Sequence, residues 1–372
     1  MNFDFSDDQK MLKDQARKFL ADKSSIKAVR AVLDRDPKKA ASYDAALWKG
    51  VAEMGWTGVA IPEEFGGTGL GRLELCVLAE EMGRAVAPIP FASTVYFAAE
   101  AIMLAGSDAQ KQKWLPKIAS GEAIGCWAAS EGPGAPSASS LTTTFDGSSV
   151  SGTKIPVTDG DIAHFAIVLV KEGNGTSLAI AELEGVAREQ VKTLDPTRGH
   201  AKLEFKKTKA ERLGGAGQGW ELAEQVLDRA AVLIAFEQVG GSQACLEMAL
   251  DYARNRFAFS RPIGSFQAIK HKLADMYVAT EVARSNAYYG AWALSTEAAE
   301  LPLAAAAARV AGSDAYHLTS KENIQTHGGM GFTWEVDAHL FYRRAKLLSV
   351  QAGAPGVWKE KLVRRLELKN AA

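Results

Sequence analysis

The composition of this chain switches twice along its length, and that alternation limits the architecture more than any single motif. Up to Gly121 the patterning is helical. Ser6 followed by Gln9 reads as a capping box, and Met11, Leu12, Ala16, Phe19 and Leu20 recur behind it at helical spacing. Further helices are expected over about 42–54, 72–84, 93–104 and 108–119, with the glycine-rich break Pro62-Glu63-Glu64-Phe65-Gly66-Gly67-Thr68-Gly69 between them. From Gly125 to about Gly214, Val, Ile, Thr, Ser and Gly dominate in short runs (165–171, 178–183, 201–205). The turn signals Asp146-Gly147, Asp159-Gly160 and Gly173-Asn174-Gly175 separate these runs. Such a segment predicts an antiparallel β domain without crossover helices. From Trp220 onward long helical segments return over about 221–255, 265–296 and 303–327, with one more from about Trp334. Their apolar residues repeat every three or four positions, which predicts a helical bundle. With 372 residues, 47% of them hydrophobic, the chain is too long for one ordinary core. Three domains are expected: helical 1–121, β 122–214 and a helical bundle 215–372.

Charge and cysteine usage exclude several classes. The formal net charge is −1, with both signs spread throughout. No basic patch favours nucleic acid and no polybasic run favours a membrane surface. Cys76, Cys126 and Cys245 lie far apart and form no CxxC pair, so neither a disulfide framework nor a metal site is signalled. The start, Met1-Asn2-Phe3-Asp4-Phe5, lacks the basic and apolar regions of a signal peptide. The longest apolar runs, 230–236 and 302–308, are too short to span a bilayer. A soluble cytoplasmic protein is expected. No GxGxxG lies between a strand and a helix, and HExxH, Walker and GxSxG patterns are absent.

Two segments of the helical third carry the chemistry. Gln325-Thr326-His327-Gly328-Gly329-Met330-Gly331-Phe332-Thr333 runs a helix into three glycines within four residues. Read alone, this is a helix C-cap with a tight turn, or a place where bare N–H groups meet a phosphate. The second segment is Arg256-Phe257-Ala258-Phe259-Ser260-Arg261-Pro262-Ile263-Gly264-Ser265-Phe266-Gln267. Together with Ile61 to Gly67, the helix end Glu80-Glu81-Met82-Gly83-Arg84, and Trp114-Leu115-Pro116 before Gly121-Glu122, these segments resemble the flavin-dependent acyl-CoA dehydrogenases over nearly the whole chain. The resemblance implies a multi-domain α+β fold: an N-terminal helical domain, a middle antiparallel β-barrel domain and a C-terminal four-helix bundle. It also implies FAD, an acyl-CoA substrate and an electron-transfer flavoprotein as acceptor. In the family the two long segments bind the ADP half of FAD across a subunit interface. Arg256 then suits the pyrophosphate as a charge-assisted donor, and Phe259 suits a ring of the cofactor. Gln267 and Gln325 can both donate and accept, and Gly328 and Gly329 allow close backbone approach.

The departures from the family pattern are one-sided. Removing an α-proton from a thioester calls for a carboxylate base, worth roughly 10²–10⁴ in rate. The family usually places it in a turn that corresponds here to Gln351-Ala352-Gly353-Ala354-Pro355, and Ala352 stands in its position. The alternative family position falls near Ala230. Asp228 and Glu237 are the nearby carboxylates. Asp228 lies about 200° around the helix from Ala230, and Glu237 lies two turns on, roughly 10 Å along the axis. The flavin-facing loop, Thr-Glu-Pro-Gly-Ala-Gly-Ser-Asp in the family, is here Ser130-Glu131-Gly132-Pro133-Gly134-Ala135-Pro136-Ser137. A family Trp-Ile-Thr beside the flavin is here Pro156-Val157-Thr158. Ser130 and Thr158 remain as cofactor contacts, while prolines bring no N–H. Elements lent to a neighbour are thus intact, and elements of the chain's own pocket are eroded. This pattern resembles the base-less subunit of the α2β2 acyl-CoA dehydrogenases of bacterial steroid side-chain breakdown. The alternatives are a self-sufficient homotetramer using Asp228 or Glu237, a non-catalytic acyl-CoA-binding protein, or a flavin oxidase or monooxygenase on the same fold.

Overall fold

A computed structural model describes residues 5–36 and 40–371, and within them the helix–sheet–helix alternation is present. Met1 to Asp4, read above for a leader, lie outside the described residues. Helix α1 (Asp7–Lys23) starts at the expected capping box: Gln9 N donates to Ser6 Oγ at 3.2 Å and Ser6 N donates to Gln9 Oε1 at 2.9 Å. Helix α2 (Ile26–Leu33) escaped the sequence reading because eight residues give too little periodicity; it buries Val29, Val32 and Leu33. Helices α3 (Ala45–Glu53) and α4 (Arg72–Arg84) lie where expected. The helix expected over 93–104 is instead a π-helical stretch, Ala92–Ala99, followed by α5 (Glu100–Ala105). All eight residues of the π-helical stretch are buried. Helix α6 (Asp108–Ala119) has its own capping box from Ser107 and Gln110.

Seven strands form one sheet: β1 (Gly125–Ala128), β2 (Thr144–Phe145), β3 (Ser149–Thr158), β4 (Phe165–Glu172), β5 (Gly175–Glu182), β6 (Ala187–Gln190) and β7 (His200–Leu213). The order β4-β2-β3-β7-β5 closes on itself because β5 also pairs with β4; β1 adds to β4 and β6 to β7. One expectation is corrected. The sheet is not wholly antiparallel, since β1 and β2 each pair parallel with β4. The chain leaves β1 and passes through β2 and β3 before β4, so it can re-enter in the same direction without a crossover helix. β4 and β5 read as apolar runs because Phe165 to Val170 and Thr176 to Ala181 are buried. Gly173-Asn174 makes their two-residue turn, with Gly173 at φ +56°. Pro156 falls in the register irregularity between Lys154 and Val157 of β3, where a missing N–H breaks no ladder bond.

The rest is helical: α7 (Gly219–Asn255), the short strands β8 (Phe257–Ala258) and β9 (Arg261–Pro262), α8 (Gln267–Ser295), α9 (Leu301–His327), α10 (Ala338–Gln351) and α11 (Pro355–Ala371). The single helix expected from about Trp334 is two helices, broken where Gly353 takes φ +105°. Among the described residues no helix is long and apolar enough to cross a membrane, and no cluster of His, Cys, Asp or Glu could hold a metal ion.

The chain divides into two compact units. One comprises residues 28–75 and 88–230 and contains the barrel. In it the π-helical stretch is tied to strand ends: Ser93 Oγ donates to Asp159 Oδ2 at 2.6 Å, and the Phe97 ring stacks on Trp127. The other comprises the residues up to 27, 76–87 and those from 231 on. In it α4 and α7 cross at glycines. A Cβ on Gly83 would lie 1.9 Å from the Glu237 carbonyl oxygen, and one on Gly240 would lie 1.8 Å from that of Glu80. Neighbouring buried carboxylates are matched by cations: Glu80 by Lys13 and Arg284, Glu81 by Arg17. Gly240→Ala is expected to lower stability by about 1–3 kcal/mol through overpacking against backbone that cannot yield. The urea midpoint reads this, and an unchanged midpoint would show that the crossing has room to spare.

Candidate cofactor and active site

In the bundle unit, the ends of α7, α8 and α9 are fastened together. The Tyr252 ring of α7 stacks on His327 of α9, centroids 4.2 Å apart, and Lys272 of α8 pairs with Glu322 of α9 at 2.8 Å. After α7 the backbone at Arg256 is fixed by Ile263 N, which donates to the Arg256 carbonyl at 2.8 Å. The β8–β9 turn places Phe259 at φ +52° and Ser260 at φ +65°. Two successive non-glycine residues in the left-handed region cost about 1–2 kcal/mol each. This strain holds out a Phe259 side chain that is 90% exposed. Phe266 supports the turn, edge-on to Phe259 and covered by the Arg261 guanidinium at 4.0 Å.

Arg256, Gln267, Gln325 and Gly329 are also exposed, and the backbone at Gly328 and Gly329 is open, since a Cβ on either would meet nothing within 4 Å. One detail differs from the sequence expectation. Gly328, at φ +62°, caps α9 and donates its N–H to the Gln325 carbonyl, so that amide is not bare. Gly331 is buried against Ile324 O and serves packing. Among the described residues no carboxylate pairs with Arg256. An exposed guanidinium lacking an anion, open glycine backbone, two amides and an outward aromatic ring together suit an anionic, ring-bearing group, and so fit the ADP half of a dinucleotide.

The barrel unit carries Ser130 and Thr158. The Ser130 carbonyl accepts from Ile155 N at 2.9 Å, three residues before Thr158. Next to it Glu131 accepts from Lys154 Nζ at 2.8 Å, Thr142 N at 2.7 Å, Thr142 Oγ1 at 2.6 Å and Thr143 N at 2.9 Å. Burial alone would raise the Glu131 carboxyl, but these donors outweigh it and hold it at about 2. Burial brings the Lys154 ammonium down to about 8 despite Glu131. The sequence reading missed this pair, although a lysine alternating into a buried strand face was its signal. Beyond Glu131 the loop is open: Gly132 and Gly134 have φ +155° and +94°, and a Cβ on either meets nothing. Thr158 Oγ1 lies 3.1 Å from His200 Nε2.

The positions considered for a base are all buried. Ala230 is fully enclosed. Ala352 ends α10, and its carbonyl accepts from Trp358 Nε1 at 2.9 Å. Asp228 is buried, not a solvated surface group. Glu237 is fully buried 3.4 Å from the equally buried Arg344, which also donates to the carbonyls of Val86 and Ala87. A carboxylate so placed holds the bundle together and has no open face for a substrate. Gln238, next to Glu237 on α7, is one partner of Arg309 of α9, which is buried among neutral acceptors: Gln238 Oε1 at 3.0 Å, Ser313 Oγ at 2.6 Å and the Leu348 carbonyl. Burial brings it down to about 9.

Two family profiles match the chain: "Acyl-CoA dehydrogenase, N-terminal domain" over residues 6–122 and "Acyl-CoA dehydrogenase, C-terminal domain" over 217–367. The acyl-CoA dehydrogenase IpdE2 of Mycobacterium tuberculosis is 33% identical over 342 residues, 91% of either chain. The chain belongs to the acyl-CoA dehydrogenase family. Members are oxidoreductases acting on the CH–CH group of an acyl-CoA. Among solved structures, the steroid acyl-CoA dehydrogenase Tcur3481-Tcur3483 is similar with a TM-score of 0.88 and 29% identity, over 98% of this chain and 99% of that one. An acyl-CoA dehydrogenase from Bacillus anthracis complexed with FAD is similar with a TM-score of 0.89 and 25% identity, over 99% of this chain and 68% of that one. The family and fold that the paired segments imply are thereby borne out.

Glu237→Gln is expected to destabilise the protein by about 3–5 kcal/mol, because Arg344 would be left buried without its anion. Glu237→Met combined with Arg344→Met should recover much of that loss. Denaturation of the single and double variants decides it: additive losses would show that the two charges do not depend on each other.

Proposed function

We propose that the chain is an FAD-dependent acyl-CoA dehydrogenase subunit that works as the base-less partner of a homologous, base-bearing chain in an α2β2 assembly. The observation that carries this is the pair of buried alanines, Ala352 and Ala230, at the two family base positions, set against an intact and exposed Arg256, Phe259, Gln267 and Gln325. The similarity to IpdE2 and to a steroid acyl-CoA dehydrogenase named for two components supports the pairing and a steroid-derived acyl-CoA as substrate class.

In this reading Arg256 neutralises the cofactor's pyrophosphate and Phe259 covers one of its rings. Gln267 and Gln325 hold adenosine or phosphate edges, and the open backbone at Gly328 and Gly329 permits close approach. Ser130 and Thr158 are the groups left in the chain's own barrel to meet a flavin ring. Bound FAD supplies the hydride acceptor. The base comes from the other subunit, and an electron-transfer flavoprotein is the expected electron acceptor. The domain limits 1–121, 122–214 and 215–372 and a cytoplasmic location belong to the same reading; the three buried free cysteines support a reducing compartment.

Expressed alone, the chain should bind FAD poorly and dehydrogenate little. Co-purified with its partner it should give a yellow complex whose flavin is bleached by substrate, and Arg256→Ala should lower the flavin content of that complex. Robust activity of a purified single-component oligomer would overturn the reading. Asp228→Ala in the complex should leave kcat unchanged; a loss of 10²-fold or more would instead make Asp228 the base and favour a self-sufficient enzyme.

A further inference from the structure

Helix α8 is apolar on two opposite sides. Its inner side buries Leu273, Met276, Thr280, Ala283 and Ala287. At 100° per residue, Gln267, His271, Ala274, Val278 and Val282 share an arc of about 80° on the outer side. All five are exposed, Val278 at 58% and Val282 at 53%, and Tyr277 lies beside them at 56%. A solvated helix face is normally polar, and valine forms helix less readily than alanine or lysine. Neither solubility nor helix propensity therefore accounts for Val278 and Val282. Single hydrophobes scattered over a surface are ordinary, but these follow one another along one stripe. Lys270, Asp275 and Glu281 flank it, so an apolar centre has a charged rim, which is the layout of an association surface.

The stripe is continuous with the strained turn before it. Phe266 caps the start of α8 and meets the exposed Phe259 edge-on. Gln267, the amide read above as lent to a neighbour's cofactor, opens the stripe. Val282 lies about 22 Å farther along the same face. A body that brings a cofactor to Gln267 approaches from the side on which the valines lie. We propose that this outer face of α8 is the surface on which the homologous, base-bearing chain docks. The proposal rests on the reading above that Gln267 serves a cofactor held by that chain. A second copy of this chain fits less well, because its own Ala230 and Ala352 would leave the cofactor beside Gln267 without a base.

Cys76, Cys126 and Cys245 are buried, so a Val278→Cys variant carries one accessible thiol among the described residues. In the isolated chain that thiol should react readily with a maleimide. In the complex with the co-purified acyl-CoA dehydrogenase chain it has to wait for dissociation, and alkylation should slow about tenfold or more. Equal rates would overturn the proposal. So would a thiol already protected in the isolated chain, which would give the face to a second copy. Val278→Glu should weaken the pair of unlike chains about 30-fold or more, read by sedimentation, while the melting temperature of the isolated chain is unchanged. If the unlike pair persists and only its association into α2β2 is lost, the face joins copies and the proposal fails. Failure of the base-less reading is registered separately, by dehydrogenation by the chain alone.

Discussion

Helices α4 and α7 approach so closely that Gly83 and Gly240 rest on each other's helix carbonyls, and much of the bundle unit follows from that contact. No side chain larger than hydrogen fits between the two backbones. Water is excluded along the seam, so polar groups on the flanking turns must find partners in the protein. Glu80 takes Lys13 and Arg284, Glu81 takes Arg17, and Glu237 takes Arg344. Removing one member of such a pair strands the other, whereas the pair as a whole adds little net stability. The seam therefore explains both where the charges sit and why Glu237 is poorly placed for proton transfer.

The two places suited to a cofactor differ in kind. At the bundle end the groups point outward: Phe259 on a strained turn, Arg256 without an anion, glycine backbone open to solvent. Phe257, Met330, Phe332 and Trp334 are exposed in the same segments. So much aromatic surface is unusual on an isolated chain and supports the proposed neighbour. In the barrel unit the polar groups are turned inward and satisfied by one another, as in the Glu131–Lys154 pair and the Thr158–His200 contact.

Much of the fold was legible in the sequence because its signals are local. The Ser6 and Gln9 capping box, α4, and the Gly173-Asn174 turn each depend on a few adjacent residues. The helix α2 was too short to show a period, and the π-helical stretch Ala92–Ala99 was read as ordinary helix because both share an apolar composition. Parallel pairing of β1 with β4 depends on how two distant segments meet, which no local pattern encodes. At the candidate site, residue types and order pointed to Arg256, Phe259, Gln267 and Gln325. Partnerships across long separations were not legible: Arg344 with Glu237 spans 107 positions, and His200 with Thr158 spans 42.

Arg309 bears on the turn in which the proposed reading finds no base. It donates to the Leu348 carbonyl in the last turn of α10, four residues before Ala352, and so caps the helix end with positive charge. Among the described residues its other partners are neutral, so no anion offsets the effect of burial on its basicity. Past that cap, Gly353 turns the chain at φ +105° and Trp358 Nε1 holds the Ala352 carbonyl. The turn is thus held by side-chain contacts to its backbone around a buried alanine, Ala352. The same contacts fix how α11 leaves α10, so the packing of the two helices does not depend on which side chain residue 352 carries.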